Sequence, residues 1–350
     1  MKATGISSRT AGAVSTAAGR PGLSGGLVVM AMSGLCLASG ALAQAGSPAA
    51  AYPTRPVTMI APYAPGAATD TEGRLFASKL SEFLGQQFLV DFKPGGGTTI
   101  GQILAARAAP DGYTLLLMSA AYPLVPQTYT NLSVDLMKSL APISLMSKRS
   151  ALLLIHPSVP AKNMAEFVAY ARANPEKLNF ATAGPGGLQH LTGLWLASAI
   201  NAKFTYIHYK GTGSLMPDML AGRSHVTPTT FSTGLNLVKS GKLRPMGVAS
   251  LERNGQMPDM PTVAEQGYPG WEYTTWLGVL APEKTSPAII SKLSAELARV
   301  TKAPDIQQRL GADTRLIGST PEEFRKHIAL EYDRWKKLIQ DNNLKFDLQD

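Results

Sequence analysis

Short apolar runs alternate with stretches of helical spacing along most of this chain, and the alternation occurs in two successive sets. Residues 57–61, 88–92 and 114–118 read as buried strands, with helical spacing over 71–84 and 98–108 between them. Strand-helix repetition of this kind predicts a mostly parallel sheet with helices on both faces. The second set has strands at 152–155, 178–182, 204–209, 225–229 and 245–249, and helices at 163–173, 188–200, 214–220 and 232–239. Asn163 with Glu166 makes an N-cap pair for the first of these helices. A strand at 276–281 then precedes two further helices. One opens at Ser286-Pro287 and the other at Thr320-Pro321-Glu322-Glu323, a cap, a first-turn proline and a capping-box glutamate. Two α/β sets followed by return elements predict two lobes with crossovers near 146–150 and 250–256. Lobe 1 is expected to comprise 52–148 and 252–350, and lobe 2 to comprise 149–251.

The first 43 residues stand apart from this pattern. Lys2, Arg9 and Arg20 are their only charges, and residues 23–42 are small and apolar. Ala41-Leu42-Ala43 supplies a leader-peptidase pattern, so 1–43 reads as a signal peptide cut near Ala43, placing the mature chain in the periplasm. The alternative is an uncleaved anchor, because the apolar run is near spanning length. The interrupting Gly and Ser residues and the cleavage pattern favour export. Bulky Leu35 argues against a lipid anchor on Cys36.

Cys36 is the only cysteine, so the mature chain carries no disulfide, thiol nucleophile or thiolate metal ligand. Removing the leader takes three of 33 basic residues and none of 24 acidic ones, leaving a net charge of +6. These charges are scattered, which suits anionic small solutes better than nucleic acid. The histidines His156, His190, His208, His225 and His327 show no metal-ligand spacing, and no G-x-S-x-G elbow occurs. Neither a P-loop nor a complete dinucleotide fingerprint is present. The expectation is therefore no catalytic residue, no metal and no cofactor.

Candidate chemistry lies at three Gly-rich junctions where a strand ends and a helix opens: residues 61–70, 181–187 and 209–214. Such junctions leave free backbone N–H groups at the positive end of a helix dipole, where a carboxylate is a natural guest. In open α/β sheets ligands gather beyond the carboxyl ends of the strands, where these loops lie. Each loop taken alone is equally well a tight turn. Asp70 doubles as a helix N-cap, a role open to Thr69 as well, and His190 as a structural bond to its own loop. Tyr63 and Trp276 serve either as pocket walls or as core. A fourth junction, 93–99, is either a plain turn or a flank of the same cleft.

Taken in order, several segments make the chain resemble the Bug (tricarboxylate-transporter-type) family of periplasmic solute-binding proteins. They include Tyr52-Pro53-Thr54-Arg55-Pro56, Ala64-Pro65-Gly66-Ala67-Ala68-Thr69-Asp70, Ala109-Pro110-Asp111-Gly112-Tyr113, His156-Pro157-Ser158-Val159-Pro160, Tyr209-Lys210-Gly211 and Pro258-Asp259-Met260-Pro261-Thr262-Val263. The resemblance implies a two-lobed α/β periplasmic-binding-protein fold, type II-like, with a ligand cleft between the lobes. It implies capture of a small organic carboxylate by hinge closure and delivery to membrane transporter subunits, by a monomer without enzymatic activity. Carried over by position, it nominates Tyr63, Ala67, Ala68, Thr69 and Asp70 from one lobe, and Ala183, Gly184, Gly187, His190 and Thr229 from the other.

The chain departs from the family pattern in three places. Gly66-Ala67 stands where Gly-Gly is usual, and Gly186-Gly187-Leu188-Gln189 stands where serines are usual. Thr229 takes the place of an acidic residue, which removes repulsion towards an anion and any partner for a ligand amine. The expectation leans to a carboxylate, a dicarboxylate or an aromatic acid, over an amino acid. Alternatives from other classes are a sensing protein that presents its closed form to a membrane kinase, and an exported enzyme.

Overall fold

Strands form where the apolar runs predict them, and also in two places that the sequence pattern does not mark, Leu140–Arg149 and Thr314–Leu316. The computed structural model describes residues 51–63, 65, 68–129, 131–209 and 212–341; the leader read at 1–43, Cys36, Ala67 and Gly211 lie outside these. In chain order the strands are β1 (Val57–Ala61), β2 (Phe88–Phe92), β3 (Thr114–Ser119), β4 (Leu140–Arg149), β5 (Ala151–Ile155), β6 (Asn179–Thr182), β7 (Thr205–His208), β8 (Val226–Thr230), β9 (Arg244–Val248), β10 (Thr275–Pro282) and β11 (Thr314–Leu316). They make a six-stranded sheet, β11-β4-β10-β3-β1-β2, and a five-stranded sheet, β7-β6-β8-β5-β9. The chain passes from the first sheet to the second at Ser150 and returns between β9 and β10.

The sheets are mixed, which corrects the expectation of a mostly parallel arrangement. β1 pairs in parallel with β2 and β3, whereas β10 runs antiparallel to both β3 and β4, and β11 antiparallel to β4. In the second sheet β6 is parallel to β7 and β8, and β5 is antiparallel to β8 and β9. Only the stretches built as strand-helix-strand units are parallel; strands that enter from the other sheet need no crossover helix and arrive reversed.

Both faces of each sheet are covered. Along β3, Leu115 and Leu117 point to the side of the helices Ala68–Leu84 and Pro287–Thr301, where Phe76, Leu80, Leu293 and Leu297 pack. Leu116 and Met118 point to the other side, against Trp276, Phe324 and Ile328. A strand buried on both faces reads as a continuous apolar run, which is why β3 is legible in sequence. In the second sheet Leu153 and Ile155 pack with Phe167 and Phe180, while Leu152 and Leu154 pack with Leu215 and Phe231.

The predicted caps hold their helices. Asn163 Oδ1 accepts from Glu166 N at 2.9 Å at the start of Met164–Ala173. Thr320 Oγ1 accepts from Glu323 N at 3.2 Å, and Thr320 N donates to Glu323 Oε2 at 2.8 Å, at the start of Pro321–Asp341. This 21-residue helix crosses the first sheet and also meets the helix Leu188–Ala199 of the second, with Trp195 and Trp335 edge to face at 5.8 Å. Arg334 on it reaches Glu272, in the return segment, at 2.6 Å. Among the described residues no helix is long and apolar enough to cross a membrane.

Gly278 in β10 is what lets the helix lie close. A Cβ there would sit 2.2 Å from Phe324 Cζ. Gly278→Ala is expected to destabilise the fold by roughly 1–3 kcal/mol in urea melts, and Phe324→Leu in the same chain to recover part of the loss.

Candidate functional site

A cavity of about 270 Å³ opens where the carboxyl ends of strands from the first sheet face helix starts belonging to the second. On the first side stand Thr69 and Glu72 from the opening of Ala68–Leu84, Ser119 at the end of β3, and Ser147 and Arg149 at the end of β4. Across from them are Leu188 and Thr212, each the first residue of a helix, and Thr230 at the end of β8. Tyr273 and Trp276 complete the wall. Two helix starts directed at one cavity favour an anion.

The nominated residues take unequal places. Thr69 lines the cavity. Ala68 is the first residue of its helix, and Ala67 is outside the described residues. Asp70 lies inside the first turn rather than at the cap, and its Oδ1 accepts from Arg74 Nε four residues on. Tyr63 acts through a neighbour: its hydroxyl donates to Ser119 Oγ at 2.7 Å and accepts from Ser119 N at 2.7 Å. That pair fixes the end of β3 at the cavity. Burial pushes the Tyr63 phenol well above its ordinary value, so it stays neutral.

The second Gly-rich loop is held from within. Ala183 N donates to Gln189 Oε1 at 2.7 Å, and Gln189 Nε2 donates to Pro228 O at 2.8 Å. Gln189, the amide that replaces a serine of the family pattern, is thus spent bridging loop and strand. Leu188 beside it gives the cavity an apolar wall. Gly184 bonds Thr182 Oγ1 through its backbone, and Gly187 caps the helix with its O accepting from Leu191 N at 3.0 Å. His190 turns inward: Nδ1 accepts from Gly186 N at 3.0 Å, and the ring packs on Tyr206 and His208 at 4.9 and 4.7 Å. Gly186 adopts φ +67°, which its lack of a Cβ permits. Thr229 is 2% exposed and points away from the cavity, towards the helix Phe231–Lys239 near Gly234, so its neighbour Thr230 takes the lining position. Strand alternation puts successive residues on opposite faces, and a one-residue difference decides which threonine meets the cleft. The fourth junction meets the second loop across a separate cavity of about 100 Å³, lined by Gly97, Gly186 and Gly187.

Reasoning from sequence missed Glu72, Ser119, Ser147, Arg149, Thr230 and Tyr273. Glu72 is 2% exposed, and its Oε2 lies 3.1 Å from Arg149 Nη2. Burial raises the Glu72 carboxyl above its ordinary value, with Arg149 and a hydrogen bond from Ser147 pulling the other way and Asp313 adding to the rise. Among the described residues no group of three His, Cys, Asp or Glu side chains is placed to hold a metal ion.

Burial, followed by the neighbouring His208, lowers His190 from 6.5 to about 4. The unfolded chain therefore takes up a proton below pH 6.5 that the folded chain refuses, and stability falls as pH drops from about 6.5 to 4 before levelling off. Urea melts across this range should show a loss of order 2–3 kcal/mol from this group. His190→Gln should remove this share of the slope and leave that of His327, which burial lowers from 6.5 to about 3.

Comparison with known proteins agrees with the geometry. The model of the tripartite tricarboxylate transporter family receptor matches residues 73–344. Protein BugT of Bordetella pertussis is 30% identical over 321 residues, covering 91% of this chain and 98% of BugT. Among solved structures, the periplasmic binding protein BugD is 32% identical with a TM-score of 0.72, over 84% of this chain and all of that one. R. palustris Rpa4515 with adipate is 27% identical at 0.73, over 83% and 97%. MatC from Rhodopseudomonas palustris with bound malate is 28% identical at 0.70, over 82% and 100%.

Proposed function

The chain belongs to the tripartite tricarboxylate transporter family of receptors, and on that premise we propose that it captures a small organic carboxylate in the 270 Å³ cavity and hands it to a membrane transporter. The observation that carries this reading is the cavity itself: the helix starts at Leu188 and Thr212 face Arg149 across it. The helix starts attract an anion from one wall, Arg149 offers hydrogen-bond donors beside its partner Glu72 on the other, and an apolar side chain at Leu188 suits a carbon backbone. The adipate and malate in the two Rhodopseudomonas structures support an acid of this size.

Lobe 1, 52–148 with 252–350, and lobe 2, 149–251, would close on the ligand about the two connections between the sheets, expelling water from the cavity. Local geometry supports a hinge there. Ser150 N donates to Asp313 O at 3.3 Å, and Asp313 Oδ2 accepts from Ser232 N at 3.1 Å at the opening of the Phe231–Lys239 helix.

Thermal melting of the purified protein with mono-, di- and tricarboxylates, amino acids and a neutral sugar tests the reading. An acid at about 100 times its dissociation constant should raise stability by roughly 2.7 kcal/mol. A shift with the sugar and none with any acid would sink it. Export is tested separately: protein recovered from the periplasm should begin at Gln44 by mass spectrometry, and an intact Met1 terminus there would refute cleavage.

A further inference from the structure

One charged pair in the cavity wall is not explained by the Gly-rich loops. Arg149 is the only cation among the described residues lining the cavity, and Glu72 the only anion. Ser147 stands two residues before Arg149 on β4, and Trp276, the second residue of β10, pairs with Lys148 between them. Around this pair three buried polar atoms have no partner, Glu72 Oε1, Arg149 Nε and Trp276 Nε1, while the Ser147 hydroxyl leans on the Glu72 carboxylate. All four residues line the same cavity.

An ion pair taken out of water recovers its desolvation cost only when further hydrogen bonds complete it. Here Glu72 meets only Nη2 of the guanidinium, and the Nε edge is left open. Unpaired buried groups are uncommon in folded proteins, and each calls for a physical account. Two of these atoms carry a hydrogen to donate: the Arg149 Nε–H and the indole N–H. A carboxylate is the group that accepts several such bonds at once, and bonds to arginine are the strong ones.

We infer that Arg149 anchors a second carboxylate of the ligand, with Glu72 as the positioning residue that holds its guanidinium at the cavity wall. This rests on the carboxylate reading above. The first carboxylate lies at the helix starts carried by the five-stranded sheet, and the second at Arg149 on the six-stranded sheet. A diacid therefore ties the two sheets together, whereas a monoacid of the same length engages only one. Selection for diacids and closure of the cleft become the same event. Trp276 adds a neutral donor beside the anchor, which discriminates by geometry as well as charge.

Calorimetric titration with matched pairs tests this: succinate against butyrate, glutarate against pentanoate, adipate against hexanoate. At least one diacid should bind about tenfold to a hundredfold more tightly than its monoacid. In the double variant Glu72→Leu/Arg149→Met, which replaces the pair by apolar groups of similar size and keeps the fold, diacid affinity should fall further than monoacid affinity, so that the preference collapses to near unity. Arg149→Lys, which keeps the charge, should retain part of the preference. Equal affinity for both acids in the wild type, or a preference that survives in the double variant, overturns the anchor while leaving the carboxylate reading intact. Binding of a neutral solute and of no acid removes both.

Discussion

Burial of both faces of both sheets is the constraint on which the rest of the structure depends. β1, β3 and β5 are apolar along nearly their whole length, because helices cover them above and below. Polar recognition groups are thereby excluded from the strand interiors and confined to the strand ends. Ser119, Ser147, Arg149 and Thr230 all stand at or near the last residue of a strand, and all line the cavity. The cleft exists at the one edge where the backbone leaves the sheets and polar side chains can be reached.

Much of the fold was legible because apolar strands and capped helices leave local signals. β1 and β2 have the bounds that their apolar runs imply, and the boxes at Asn163 and Thr320 form as their residue types require. β4 was not legible: its pattern, with Pro142, Ser144, Ser147 and Lys148, lacks a clean period, because its hydroxyls bond non-local partners such as Ser319 O, 2.8 Å from Ser144 Oγ. The antiparallel returns were hidden for a related reason. Direction is set by which sheet a strand enters from, and no window of local sequence records that.

The site divides in the same way. Gly187 and the helix starts announce themselves by composition, whereas Arg149 lies between Lys148 and Ser150 and reads as a solvated charge at a linker. Only the fold brings Glu72, from far upstream, against it. Gln189 shows the opposite case: it stands where the family pattern has serines, yet both ends of its amide serve the protein itself. Counting the hydrogen-bond capacity of a polar side chain against its partners separates the two roles, and that count requires coordinates.

The placement of β10 between β3 and β4 has a consequence for how the protein is made. Residues that emerge from the ribosome early must keep the inner edges of β3 and β4 unpaired until 275–282 has been synthesised, well over a hundred residues later. The five-stranded sheet carries no such debt, since all its strands lie in one continuous stretch from β5 to β9. Folding during synthesis is therefore ordered, with the middle of the chain able to settle first and the outer parts waiting. Long-range pairing of this kind is slow and leaves sticky edges exposed in the interval. A chain with an unfinished first sheet stays open longer than its length alone would suggest, with the edges of β3 and β4 exposed until β10 arrives.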